Sequence, residues 1–189
     1  MTQQTMFLKN TETFAESLAR CGVKFHFAYP ITPATDVMKR MAVILPQYGG
    51  KMLQMESELA VSSALAGAAC TGMLCATSSS GPGMTLMQEA ISFMCGAELP
   101  CLMLDSMRVG PGDGDILGAQ SDYYMSTRGG WHGDFHVPVL APSDGQEIVD
   151  LVPEGIRLAY TYRTPVLFVF DGFFIPRSTT VDENEYTKP

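Results

Sequence analysis

Hydrophobic residues follow two alternating patterns along the chain. Continuous apolar runs, typical of strands buried on both faces, alternate with segments in which apolar residues recur every three or four positions, as on one face of a helix. The apolar runs are residues 23–28, 51–55, 73–78, 101–105 and 164–170. This alternation predicts an α/β fold, a parallel sheet covered by helices on both faces.

Capping residues and glycines bracket the predicted helices. Asn10 and Thr32 are in place to cap the first two helices, and Ser143 with Gln146 forms a capping box for the last. Glycines and aspartates fill residues 108–122, which we predict to be a loop. The helices predicted in this way are residues 10–22, 32–45, 57–72, 84–95 and 143–159.

The chain of 189 residues predicts one domain, residues 1–176. The polar residues 177–189 predict a tail or linker. The N-terminus lacks the basic and apolar regions of a signal peptide, and no apolar stretch is long enough to cross a membrane. We therefore expect no membrane association.

Composition restricts the partners that the chain can have. Hydrophobic residues make up 46% and charged residues 17%, which predicts that a partner covers some apolar surface. The net charge of −8 and the lack of a basic cluster exclude nucleic-acid binding. The five cysteines are scattered, which predicts reduced thiols in a cytoplasmic protein and no iron–sulfur cluster on this chain.

Ligands of parallel sheets bind beyond the carboxyl ends of the strands. Here the segments that follow strand ends are residues 29–33, 54–58, 78–83 and 105–112. Residues 78–83 resemble a phosphate loop but lack its GK[ST] ending, so they are either a tight turn or a ligand contact. His132 and His136 have no further close-spaced ligands, and we interpret them as loop histidines, with no metal site.

Two charged groups at strand ends leave alternatives open. Glu56 and Glu58 precede a helix of small residues, where a carboxylate either is buried in a site or simply stabilises the helix N-terminus. Arg108 either forms a surface ion pair, which composition alone favours, or binds an anionic substrate.

Taken in order, several short motifs between residues 10 and 172 resemble the alpha subunit of 2-oxoacid:ferredoxin oxidoreductases. They are YPITP (29–33), QMESE (54–58), SSSGPG (78–83), LMQE (86–89), MRVGP (107–111), QSDY (120–123), TRGG (127–130) and HGD (132–134). The resemblance implies the pyrimidine-binding domain of a thiamine-diphosphate enzyme. Residues 96–101 and 127–134 look most like the branched-chain, or 2-oxoisovalerate, enzymes.

The resemblance also implies roles for individual residues. Glu58 matches the catalytic carboxylate that hydrogen-bonds the cofactor's pyrimidine ring and so promotes loss of the thiazolium proton, with Glu56 as the fallback. Arg108 matches the residue that pairs with the substrate carboxylate, and Thr32 matches a residue that contacts either that carboxylate or the cofactor.

Two further residues match the cofactor-binding side of the family's pocket. Tyr29 and Pro30, with the turn at residues 79–83, would shape the pocket that holds the cofactor.

The resemblance implies partners as well. A beta subunit would hold the diphosphate of the cofactor through Mg²⁺, and iron–sulfur clusters would lie on gamma- or delta-type subunits. Ferredoxin would take the electrons and coenzyme A the acyl group. Two alternatives stay open: a 2-oxoglutarate-specific enzyme, and a non-catalytic assembly module that keeps the fold. The second alternative arises because alpha subunits of this family usually continue into another domain.

Overall fold

A computed structural model describes residues 5–130 and 132–182. The strands, in chain order, are β1 (Thr5–Lys9), β2 (Phe25–Ala28), β3 (Lys51–Gln54), β4 (Cys75–Ser79), β5 (Cys101–Ser106), β6 (Arg108–Val109), β7 (Asp115–Gly118), β8 (Val139–Leu140), β9 (Pro165–Phe170) and β10 (Ser178–Asp182). The helices are α1 (Asn10–Arg20), α2 (Thr35–Ile44), α3 (Glu58–Cys70), α4 (Gly81–Leu86), α5 (Gln88–Gly96), α6 (Tyr123–Arg128) and α7 (Gly145–Tyr162). A 3-10 turn, Leu45–Tyr48, follows α2.

Six of these strands form one sheet in the order β3-β2-β4-β5-β9-β8, and every neighbouring pair is parallel. Each of the predicted apolar runs contributes one strand. The sixth strand, β8, has only two residues, too few to give a pattern in the sequence. The predicted fold class is confirmed.

Helices cover both faces of this sheet because its central strands are apolar on both sides. Along β5, Leu102 and Leu104 pack into a core with α1, α2 and α7, whereas Cys101 and Met103 pack into a second core with α3, α4 and α5. All residues of β4, β5 and β9 are buried. None of the described helices is long and apolar enough to cross a bilayer.

Several predicted helix starts shift by a few residues. Asn10 does not cap α1: it is buried within the first turn, and its side-chain amide donates to the carbonyl oxygen of Phe174 at 2.9 Å. The second helix begins at Thr35, so Thr32 lies in the preceding loop. The last helix is capped one residue later than predicted, by Asp144, whose Oδ1 accepts the Glu147 N–H at 2.9 Å.

Two further segments are more structured than predicted. The predicted helix 84–95 is two helices that meet at Met87, and α4 begins three residues earlier, at Gly81. Within the predicted loop 108–122, β6 and β7 pair as a short antiparallel hairpin.

The end of the described chain corrects another expectation. Residues 178–182 are not a tail or linker: they form β10, which pairs antiparallel with β1 from Thr5↔Asp182 to Lys9↔Ser178. Val181 is fully buried in this pairing. The remainder of the predicted tail, residues 183–189, lies outside the described residues.

Candidate functional site

The four predicted strand-end segments lie at one edge of the sheet. Strands β3, β2, β4 and β5 are neighbours and parallel, so the loops after them leave on the same side. Two contacts between the segments confirm the arrangement. Arg108, which follows β5, donates a hydrogen bond to Thr32, which follows β2. Gly83, which follows β4, packs against Glu58, which follows β3.

Glu58 is the buried acid of this edge. It is the first residue of α3, where the Ser57 hydroxyl caps the helix by accepting the Ala60 N–H at 3.2 Å. Its exposure is 9%, whereas Glu56 is exposed to solvent. Within residues 5–130 and 132–182, no hydrogen bond or ion pair to the Glu58 carboxylate is present. Of the two candidate acids, Glu58 therefore has the environment of a site residue.

Gly83 makes room for this carboxylate. A Cβ atom added at Gly83 would lie 2.9 Å from Glu58 Oε1 and would overlap the Ser79 hydroxyl oxygen. Because real Cβ atoms almost never approach so closely, a side chain at position 83 would push Glu58 or Ser79 aside. The glycine of the SSSGPG turn is therefore required for contact between β4, α4 and Glu58.

Arg108 is buried, in contrast to the surface ion pair that composition favours. Its side chain is 7% exposed, with Nη1 donating to the Thr32 carbonyl oxygen at 2.9 Å. Nη2 donates to the Asp113 carbonyl oxygen at 2.7 Å and to Asp113 Oδ1 at 2.5 Å. The Arg108 Nε is buried and has no partner among the described residues. Asp113 is 96% exposed, so this carboxylate reaches Arg108 from the solvent side.

The structure places the other predicted residues at the same edge of the sheet, but they are exposed to solvent. Tyr29 and Pro30 follow the last residue of β2 and are exposed, as is Thr32. Thr32 contacts Arg108 through its main-chain oxygen and not through its hydroxyl. Thus Thr32, Glu58 and Arg108 converge on one edge, with Tyr29 and Pro30 at its exposed rim.

A buried polar cluster behind this edge was not predicted from the sequence. Asp105, at the end of β5, is fully buried, and neither carboxyl oxygen has a partner among the described residues. Burial raises the pKa of Asp105 well above its usual range, and the nearby charge of Asp122 raises it further. In the sheet register Asp105 pairs with Ser79, whose hydroxyl is likewise buried without a described partner. The sequence feature that could have indicated this buried acid is its position at the end of an otherwise apolar run.

A cavity of about 360 Å³ opens beside Arg108. Its walls are the first turn of α4, residues 108–112, Ser121 and Asp122. A larger cavity of about 560 Å³ lies between β9 and the start of α7 and contains none of the predicted site residues. The cavity beside Arg108 is the relevant one, because position at the carboxyl ends of the strands matters more here than size.

Potential metal ligands are not grouped in the part of the chain that the structure describes. Among residues 5–130 and 132–182, no set of three or more His, Cys, Asp or Glu side chains is placed to hold a metal ion. His132 and His136 are both exposed.

Glu58 and Arg108 thus lie at the carboxyl edge of a parallel sheet, the place where α/β proteins bind their ligands. A sequence model of the family described as "Pyruvate flavodoxin/ferredoxin oxidoreductase, thiamine diP-bdg" matches residues 16–188. The chain belongs to this family, and the resemblance found from the motifs is confirmed.

Individual relatives agree with this assignment. The chain is 42% identical over 168 residues to the ketoisovalerate oxidoreductase subunit VorB of Methanothermobacter thermautotrophicus, a match covering 89% of this chain and 48% of the relative. It is 39% identical over 165 residues to the 2-oxoglutarate synthase subunit KorA of Methanocaldococcus jannaschii, covering 87% and 45%. The chain thus spans about half the length of these relatives.

A solved structure is also similar. The chain superposes on 2-oxoglutarate:ferredoxin oxidoreductase from Magnetococcus marinus, with 2-oxoglutarate, coenzyme A and succinyl-CoA bound, with a TM-score of 0.90. The sequence identity is 33%, and the match covers 99% of this chain and 32% of that one.

Proposed function

We propose that this chain supplies the pyrimidine side of a thiamine-diphosphate site in a 2-oxoacid:ferredoxin oxidoreductase and is inactive without partner subunits. One observation carries the proposal: Glu58 is a buried carboxylate at the carboxyl edge of the sheet, with no partner among the described residues. The carboxylate oxygens are therefore available to accept a hydrogen bond from a ligand.

The residues around Glu58 fit the cofactor. The missing side chain at Gly83 leaves the Glu58 carboxylate accessible, and Ser79 adds a buried hydroxyl beside it. Thiamine diphosphate, when bound, supplies the electron-accepting ring that decarboxylation of a 2-oxoacid requires and that no side chain provides. Glu58 would hold the pyrimidine ring by a hydrogen bond and share a proton with its nitrogen.

Arg108 and Thr32 would bind the substrate carboxylate. An arginine fork matches a carboxylate in two parallel hydrogen bonds, which orients the substrate and discriminates against neutral carbonyl compounds. Arg108 already binds such a group, the carboxylate of Asp113. Because Asp113 is 96% exposed, it can return to water at little cost when a substrate carboxylate takes its place.

The complete reaction is the oxidative decarboxylation of a 2-oxoisovalerate-like acid to acyl-CoA and CO₂, with electrons passing to ferredoxin. A beta subunit would hold the cofactor's diphosphate through Mg²⁺, and gamma- or delta-type subunits would carry iron–sulfur clusters in a cytoplasmic complex. Relatives include a ketoisovalerate subunit at 42% identity and a 2-oxoglutarate subunit at 39%, so 2-oxoglutarate is the alternative substrate. Retention of Thr32, Glu58 and Arg108 at one edge favours an enzyme over a non-catalytic module.

Titration of thiamine diphosphate tests the proposal. The chain is titrated alone, with a beta subunit, and as Glu58→Gln with a beta subunit. We expect tight binding only with the partner, and we expect the Gln variant of the assembled enzyme to lose exchange of the cofactor's thiazolium proton. Proton exchange at the unaltered rate in the variant would refute the role of Glu58, and tight binding by the isolated chain would refute a shared site.

A further inference from the structure

The guanidinium of Arg108 already holds a carboxylate of this chain. Nη2 donates to Asp113 Oδ1 at 2.5 Å and to the Asp113 carbonyl oxygen at 2.7 Å. Nη1 donates to the Thr32 carbonyl oxygen at 2.9 Å, and the buried Nε has no partner among the described residues. Asp113 is therefore bound at the centre of the group that the proposed function assigns to the substrate carboxylate.

This position matters because of the shape of a guanidinium. A carboxylate that makes two parallel hydrogen bonds uses either Nε with Nη2 or Nη1 with Nη2, so both edges of the fork include Nη2. Nη2 carries two hydrogens, and Asp113 supplies an acceptor for each. A substrate carboxylate can bind through two parallel bonds only after the Asp113 carboxylate has left.

A tight turn brings Asp113 to Arg108, only five residues away in the chain. Gly112 and Gly114, on either side of Asp113, have φ angles of +70° and +67°, which residues with a side chain rarely adopt. A Cβ added at Gly114 would overlap the Val109 carbonyl oxygen, so the turn folds directly back on the residue after Arg108. The competing carboxylate is thus built into the loop that follows Arg108.

A displaced Asp113 carboxylate stays close to the bound substrate. The side chain is 96% exposed, so it can rotate into water while the main-chain oxygen of Asp113 keeps its own bond to Nη2. Its negative charge then lies within a side chain's length of the guanidinium and repels other anionic groups there. Among the described residues that line the adjacent cavity, Arg108 is the one cation and Asp122 is an acid. A second carboxylate on the substrate would find no cation in this cavity.

We propose that Asp113 is a specificity-determining residue: its carboxylate competes with the substrate for Arg108 and, once displaced, disfavours oxoacids that carry a second carboxylate. The inference rests on the proposed function, because it requires that Arg108 binds the substrate carboxylate. It adds a chemical preference to that function, for 2-oxoacids with a single carboxylate and an uncharged side chain.

The test compares KM for 2-oxoisovalerate and 2-oxoglutarate in the assembled enzyme. Asp113→Ala should lower KM for 2-oxoisovalerate about fivefold, the ratio expected when an exposed ion pair no longer competes. For 2-oxoglutarate the decrease should be about tenfold, because repulsion of the second carboxylate is removed as well. The kcat for 2-oxoisovalerate should stay within about twofold. If 2-oxoglutarate is not turned over, its inhibition constant against 2-oxoisovalerate gives the same comparison.

Two further variants separate competition from charge. Asp113→Asn removes the charge but keeps an acceptor oxygen, so its KM for 2-oxoisovalerate should lie between those of wild type and Asp113→Ala, while its preference between the two oxoacids should equal that of Asp113→Ala. Asp115→Asn is the matched control, since it removes an equally exposed charge from the same hairpin at a residue that does not bond Arg108. It should match wild type, because water and salt screen its charge.

An unchanged KM for 2-oxoisovalerate in Asp113→Ala would overturn the competition, and so would an equal decrease in Asp115→Asn. The same factor for both oxoacids in Asp113→Ala would overturn the role in specificity. Arg108→Ala keeps the proposed function apart from this inference. If that variant leaves KM for 2-oxoisovalerate unchanged, the substrate role of Arg108 fails; if it raises KM while Asp113→Ala leaves it unchanged, only the role of Asp113 fails.

Discussion

His26 makes the stability of this chain depend on pH, and replacing it by Leu should remove the part of that dependence that His26 contributes. The imidazole is fully buried in the middle of β2, and neither ring nitrogen has a hydrogen-bond partner among the described residues. Burial lowers the pKa of His26 from 6.5 to about 3, because the charged form cannot be hydrated there. The folded protein therefore keeps His26 neutral at pH values where the unfolded chain protonates it.

The direction and size of the effect follow from this difference. Above pH 6.5 both states are neutral and the contribution of His26 to folding is fully present. As the pH falls toward 3, only the unfolded state takes up the proton, so stability decreases by about 1.4 kcal/mol for each pH unit. At pH 5 the loss is about 2 kcal/mol relative to pH 7, a large share of the usual stability of a domain.

Urea unfolding at pH 7 and pH 5 measures the effect. Wild type should lose about 2 kcal/mol more than His26→Leu between these two values, and the comparison cancels the contributions of other groups. Leu has a similar volume and no buried nitrogen to satisfy. If both proteins lose the same free energy, His26 is charged or hydrated in the folded state and the reasoning is wrong.

Three other predictions concern single groups. Asp105→Asn should stabilise the fold at pH 7, and the gain in unfolding free energy should shrink as the pH falls toward 4. The reason is that the raised pKa of Asp105 makes the folded state hold a proton that the unfolded state has released. A gain in urea unfolding that does not change with pH would contradict this. Gly83→Ala should destabilise the chain by about 1–3 kcal/mol, because the new Cβ meets Ser79 and Glu58. It should also weaken thiamine-diphosphate binding by the assembled enzyme. Normal binding in a titration would mean that the turn shifts to accommodate the methyl group. Val181→Asp should make the amides of β1 and β10 exchange hydrogen rapidly, while the amides of the six-stranded sheet stay protected. Rapid exchange in the six-stranded sheet as well would show that the pairing of β1 with β10 is essential to the whole fold.

The sheet could be predicted because its strands are buried on both faces and so leave continuous apolar runs. The pair β1 and β10 could not, because Val181 is the one buried residue of the two strands and they join residues from opposite ends of the described chain. Asn10 shows the same limit: a local rule makes it a helix cap, but a contact with the Phe174 carbonyl, distant in sequence, uses its side chain instead.

The site was predictable to a similar extent. Position after a strand was sufficient to place Glu58 and Arg108 at one edge. The partners of these residues come from loops whose course no local pattern specifies, as with Asp113 on the guanidinium and Ser121 on the main chain of Arg108. Asp105 was missed because a single acid after an apolar run is commonly exposed, whereas here the register of the sheet buries it beside Ser79.

The antiparallel ladder of β1 and β10 has a mechanical consequence. Its outermost pair is Thr5 with Asp182, so the two ends of the described chain lie side by side. A pulling force applied between residues 5 and 182 would break the rungs one after another, as in a zipper, instead of shearing them all together. The pairing of β1 with β10 would therefore open at low force, and the chain would lengthen before the force acted on the central sheet.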